Sequence, residues 1–167
     1  MAYQKLQISE GLSVITSATV NIPDPSTEVL TGIADFSVAG VLTDVGTTFL
    51  TAGIQTMSPG PAIVYNETAG IAYYVTAITD DLNLALSPSS AGGATDSYTI
   101  YNAATIGCIL YVGGLGNLTV QMAQQNGNSA TPKELTFANL PAASFLPTQV
   151  IRVASTRTTA TDIIALW

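Results

Sequence analysis

Few side chains in this sequence could do chemistry: the pair Asp80-Asp81, the acids Asp96, Asp24 and Glu28, and one thiol, Cys108. Paired carboxylates can hydrolyse a glycosidic bond, one protonating the leaving oxygen while the other attacks or activates water. Each of these acids, however, stands in a turn-like stretch with Pro, Gly, Ser or Asn within three residues, where Asp is favoured because its side chain bonds nearby backbone amides. They read as turn formers. The chain has no histidine, which removes the commonest general base and metal ligand. Cys108, between Gly107 and the apolar pair Ile109-Leu110, lacks the neighbouring base or cation that activates a thiol, and reads as a small buried hydrophobe.

The glycine-rich run Tyr111-Val112-Gly113-Gly114-Leu115-Gly116-Asn117 contains no lysine and leads into a strand. A phosphate-binding loop needs Gly-Lys-Ser/Thr opening a helix, and a dinucleotide fingerprint also needs a helix to follow. The run reads instead as a tight turn whose glycines tolerate positive φ. No EF-hand or repeat signature supports calcium at Asp80, Asp81 or Asp96. The expectation is therefore a non-enzyme with no catalytic residues, no metal and no cofactor.

The elements around these residues are short. Runs rich in Val, Ile, Thr and Tyr alternate with Gly, Pro, Asn and Asp, the pattern of an all-β fold. In Asn117–Ala123, Leu118, Val120 and Met122 share one face, and Glu134–Asn139 repeats the alternation, so the two pair as a hairpin through a loop containing Asn126-Gly127. Further strands are expected at 149–154 and 162–167, separated by the polar loop STRTTAT. Pro141 and Pro147 bracket PAASFLP, a connection expected to cross between sheets. The final segment alternates Asp162, Ile164 and Leu166 with Ile163, Ala165 and Trp167. Both of its faces need cover, and Trp167 needs a docking place.

Residues 62–66, 71–79, 82–87 and 97–102 form a compact series of candidate strands, with a flexible loop at 87–96. Residues 41–53 supply an opening strand and a capping element. Residues 12–22 form a strand that pairs with the C-terminal half. The expected fold is an antiparallel β-sandwich or barrel made of 1–39 and 103–167, with 40–102 inserted as a small β-barrel.

Composition sets the partners. Hydrophobic residues make up 47% of the 167, enough for a core, while charged residues make up 9%, against about 25% in ordinary domains. Long charged side chains are depleted where protein surfaces meet, so such a surface suits contacts with other subunits. The 4 cations, Lys5, Lys133, Arg152 and Arg157, face 11 acids for a net charge of −7. Nucleic acid and anionic membranes are excluded as partners, because both are bound by clustered Lys and Arg. MAYQKLQ lacks the apolar stretch of a secretory signal, so the sequons at Asn66 and Asn117 read as chance matches.

Residues 109–167 carry a set of motifs: Leu110–Gly114 (LYVGG), the proline-bounded Pro141–Pro147, and the ending Thr158–Trp167 (TTATDIIALW). In their order and their terminal Trp they resemble a family of small phage particle proteins that includes head-spike base proteins of gene transfer agents. Ile63–Thr79 is similar to a module of marine phage structural proteins. Simple spike-base relatives lack an insertion of the size seen here. The resemblance implies a virion structural protein, expected as a capsid decoration or cement protein on the outer head surface, bound to the major capsid protein and to copies of itself. A tail, baseplate or vertex spike-base component is the alternative. A carbohydrate-binding module is a third reading, with Tyr73, Tyr74 and Tyr101 as its candidate platforms, although their strand-like setting favours core packing.

Overall fold

β-Branched and aromatic side chains fit a pleated, half-buried surface, and the computed structural model, which describes residues 8–56, 60–123 and 134–167, is all-β. Its strands are β1 (Gly11–Ser13), β2 (Glu28–Ala34), β3 (Val41–Thr43), β4 (Ile63–Asn66), β5 (Ile71–Ile78), β6 (Asn83–Ser87), β7 (Asp96–Tyr101), β8 (Cys108–Val112), β9 (Gly116–Met122), β10 (Glu134–Leu140), β11 (Ser144–Val153) and β12 (Ile163–Leu166). Among the described residues there is no α-helix, and one 3-10 turn spans Pro25–Thr27. The strands make two antiparallel six-stranded sheets, ordered β1-β12-β8-β11-β9-β10 and β2-β7-β4-β5-β6-β3.

Backbone contacts divide the chain into two compact units, Met1–Val14 with Gly107–Trp167 (unit 1) and Ile15–Ile106 (unit 2). The expected boundaries at 39/40 and 102/103 are thus displaced. The reason is pairing: β2 lies along β7, with Thr31 opposite Thr99 and Ile33 opposite Ser97, and Pro23 bridges to Ala104. Residues 15–39 therefore belong to the inserted unit. Of the strand expected over 12–22, Leu12 and Ser13 fall in β1, which pairs with β12.

In unit 2 the edge strands β2 and β3 are not left apart. Asp35 and Thr43 exchange both backbone hydrogen bonds, at 2.8 and 2.9 Å, which closes the sheet on itself at that end. Alternate side chains fill its interior, among them Phe36, Leu42, Val64, Tyr73, Leu84 and Tyr98. The 87–96 loop, expected to be flexible, is tied down: Gly92 N–H donates to Phe36 O, Phe36 N–H donates to Gly93 O, and Asp96 accepts from Gly93 N–H at 2.7 Å.

The Tyr98 hydroxyl donates to buried Asp44 Oδ2 at 2.7 Å, and Gly46 N–H donates to Asp44 Oδ1 at 2.8 Å. Burial, followed by this carboxylate, pushes the Tyr98 hydroxyl well above its ordinary pKa. Tyr98→Phe leaves the Asp44 oxygen without that donor, and urea unfolding is expected to show a loss of about 1–3 kcal/mol with unchanged denaturant slope.

In unit 1, β9 and β10 pair as expected, with Thr119 opposite Thr136; their Asn126-Gly127 turn lies outside the described residues. β11 does not cross between sheets. It runs through Pro147 within one sheet, pairing first with β8 and then with β9, and Pro147 falls in the irregularity between Leu146 and Val150. A strand tolerates proline there because the ladder asks for no N–H at a bulge.

The motifs Leu110–Gly114 and Thr158–Trp167 prove to be neighbours. β8 pairs with β12, and Gly113 and Gly114 N–H groups donate to Asp162 O and Thr161 O. A Cβ on Gly114 would collide with Thr161 Oγ1. Those two glycines serve close approach, and the positive φ expected of the turn occurs at Gly116.

Candidate assembly surface

Three of the acids singled out in the sequence, Asp24, Asp80 and Asp96, serve local structure. Asp24 Oδ1 accepts from Ser26 N–H and caps the 3-10 turn. Asp80 Oδ1 accepts from Leu82 N–H at 2.8 Å and from Asn83 Nδ2 at 2.9 Å, and these bonds hold its carboxyl below the usual carboxylate range. Asp96 is buried and accepts from Asn66 Nδ2 at 2.7 Å, while Asn66 Oδ1 accepts from Ala69 N–H. Glu28 lies exposed at the start of β2. Among the described residues no group of three His, Cys, Asp or Glu stands together as a metal site.

Tyr73 and Tyr101 are buried, and the Tyr74 hydroxyl accepts from Asn21 N–H at 2.9 Å. None of the three lies open as a sugar-stacking platform. Cys108 is buried, its Sγ donating to Val150 O, and burial pushes the thiol up to about 12. A thiol reagent at pH 8 is expected to label the native chain at least about a hundredfold more slowly than the urea-unfolded chain, since the thiolate is the reactive form. The same shift has a stability consequence. The unfolded thiol ionises from about pH 9 while the folded one stays protonated, so its contribution is complete below pH 9 and is lost as pH rises toward 12.

What the structure does assemble is a surface. In unit 1 the register places Leu110, Val112, Ile163 and Ala165 on the buried face of β8 and β12. Ile109, Tyr111, Ile164 and Leu166 occupy the opposite face. Phe145 stands opposite Tyr111 on β11, its ring 5.2 Å from the Tyr111 ring and 59% exposed. Pro147, two residues along the same strand, is also exposed. The result is an apolar face across three adjacent strands, with Gly11 and Ser13 of β1 at its margin. Beside it, Ile109, Gln149, Leu166 and Trp167 line a hollow of about 270 Å³. Trp167 reaches this place because its backbone pairs with Glu10 and Ser9, and its ring is half-buried.

Charge follows the division into units. Unit 2 holds eight of the eleven acids and none of the four cations, a net −8, whereas unit 1 holds all four cations and three acids, a net +1. In unit 1, Glu134 lies between two of those cations, 2.6 Å from Arg157 and 3.8 Å from Arg152.

No protein family, curated protein or solved structure matches the chain. The sequence named no catalytic, metal or cofactor residue, and the apolar face was beyond it except at 162–167, where two apolar faces were visible. The signal at β8 was similar: in Cys108–Val112 both alternating sets are apolar.

Proposed function

We infer that the chain is a structural protein of a tailed-phage particle, a decoration or cement protein on the outer surface of the head that contacts the major capsid protein and copies of itself. The observation that carries this reading is the partition between the units. Burying a carboxylate without a cation is costly, so the unit of net −8 suits solvent, and the near-neutral unit with an open apolar face suits protein contacts. The motifs that resemble those of phage particle proteins, Leu110–Gly114 and Thr158–Trp167, lie in the near-neutral unit. Adding the purified chain to phage heads that lack it tests the reading. Saturable, stoichiometric co-sedimentation with heads is the expected result; binding to tails alone, or to neither, overturns it.

A further inference from the structure

We propose that two copies of this chain pack unit 1 against unit 1 about a two-fold axis, the Phe145 ring of each entering the hollow beside Leu166 and Trp167 of the other. The contact deepens the assembly reading by giving its self-contact a surface.

Knob and hollow lie on the same face. Phe145 stands opposite Tyr111, and the hollow opens at Ile109 and Leu166, one two-residue step along β8, or about 7 Å. A two-fold axis between them makes both insertions at once, since an isologous contact repeats each pairing. An apolar cavity of about 150 Å³ already holds benzene, so the hollow of about 270 Å³ has room for the ring.

Charge argues against contact between two units 2, which sets −8 against −8, while contact between two units 1 meets no charged side chain among Ile109, Tyr111, Phe145, Pro147, Ile164 and Leu166. What favours this pairing over a contact of unit 1 with unit 2 is that knob and hollow share one face, so a two-fold contact is satisfied on both sides at once. Area sets the strength. Three strands and the β1 margin, about five residues long, cover roughly 300 Å², under half of the ~800 Å² each partner gives a stable interface. The pair is therefore weak in free solution and gains from being held at many sites on one surface.

Sedimentation velocity of the full chain between about 10 µM and about 1 mM reads the equilibrium over the range where so small a contact acts. Monomer at the low end and dimer at the high end are expected, with association strengthened by added salt, because each copy carries −7 and screening relieves their repulsion. Phe145→Ser is expected to weaken association about tenfold or more. Val45→Ser, removing an apolar side chain that is 84% exposed in unit 2, leaves it unchanged. Circular dichroism confirms that both variants fold. A chain monomeric throughout the range, or one whose association survives Phe145→Ser, or one that loses it equally with Val45→Ser, overturns the proposal. Because the free chain is measured, these outcomes are separate from binding to heads, which decides the particle assignment.

Discussion

Phe36→Ala is expected to cost about 3–5 kcal/mol, the range for deleting a fully buried aromatic ring, and to act on unit 2. The Phe36 ring is stacked on Tyr73 with centroids 5.9 Å apart and meets Tyr98 edge-on at 6.2 Å. Its backbone N–H and C=O also hold Gly93 and Gly92, so the side chain and the loop closure settle together. Denaturant unfolding combined with hydrogen exchange measures both amount and place. Protection should fall in β2–β7 and persist in β8–β12. A loss below about 1 kcal/mol would mean that the residue is not packed as described, since even partial collapse of such a site costs more.

Gly116→Ala is the largest change expected in unit 1. Gly116 has φ +151°, and a Cβ there would lie 2.6 Å from Ala160 N and 2.7 Å from Thr159 C. Both are backbone atoms of the segment that Asn117 O holds by accepting from Thr159 and Ala160 N–H. A side chain cannot move them aside as it would a flexible neighbour. Strain and overpacking together should cost about 2–5 kcal/mol. Gly70→Ala is the comparison, with φ +65° and nothing within 4 Å of the added Cβ; it bears the left-handed penalty alone, about 1–2 kcal/mol. Equal losses at the two positions would contradict the close approach at Gly116.

The strands that sequence found are those whose alternation is strong and uninterrupted. Leu84 and Leu86 in β6, Leu118 and Val120 in β9, and Ile163 and Ala165 in β12 show their buried sides directly. β2 escaped because Glu28, Thr31 and Gly32 break its apolar run. Gly32 is there for a tertiary reason, since its Cβ would lie 3.0 Å from the Tyr98 ring and 2.9 Å from Asp44 Oδ2. Pro147 misled in the same way: proline argues against a strand interior until the bulge that admits it is known.

Losing β2 also blurred the charge partition. With 1–39 assigned to the main domain, the 40–102 segment already holds five acids and no cation, a net −5, while Asp24, Glu28 and Asp35 leave the remainder at −2. Moving the boundaries to 14/15 and 106/107 transfers those three acids and widens the contrast to −8 against +1. The apolar face was illegible for a related reason. It depends on β12 and β11 flanking β8, a pairing of residues 32 to 57 positions apart that no local pattern specifies.

A cryo-EM reconstruction of the particle carrying this chain tests the assembly reading most directly. The expected map has unit 1 in contact with the head shell, with Phe145 covered by a second copy of the chain, and unit 2 in contact with solvent. A map in which unit 2 is the half seated on the shell while the face around Phe145 and Ile164 stays open to solvent, or in which the chain is absent from the head, would contradict it.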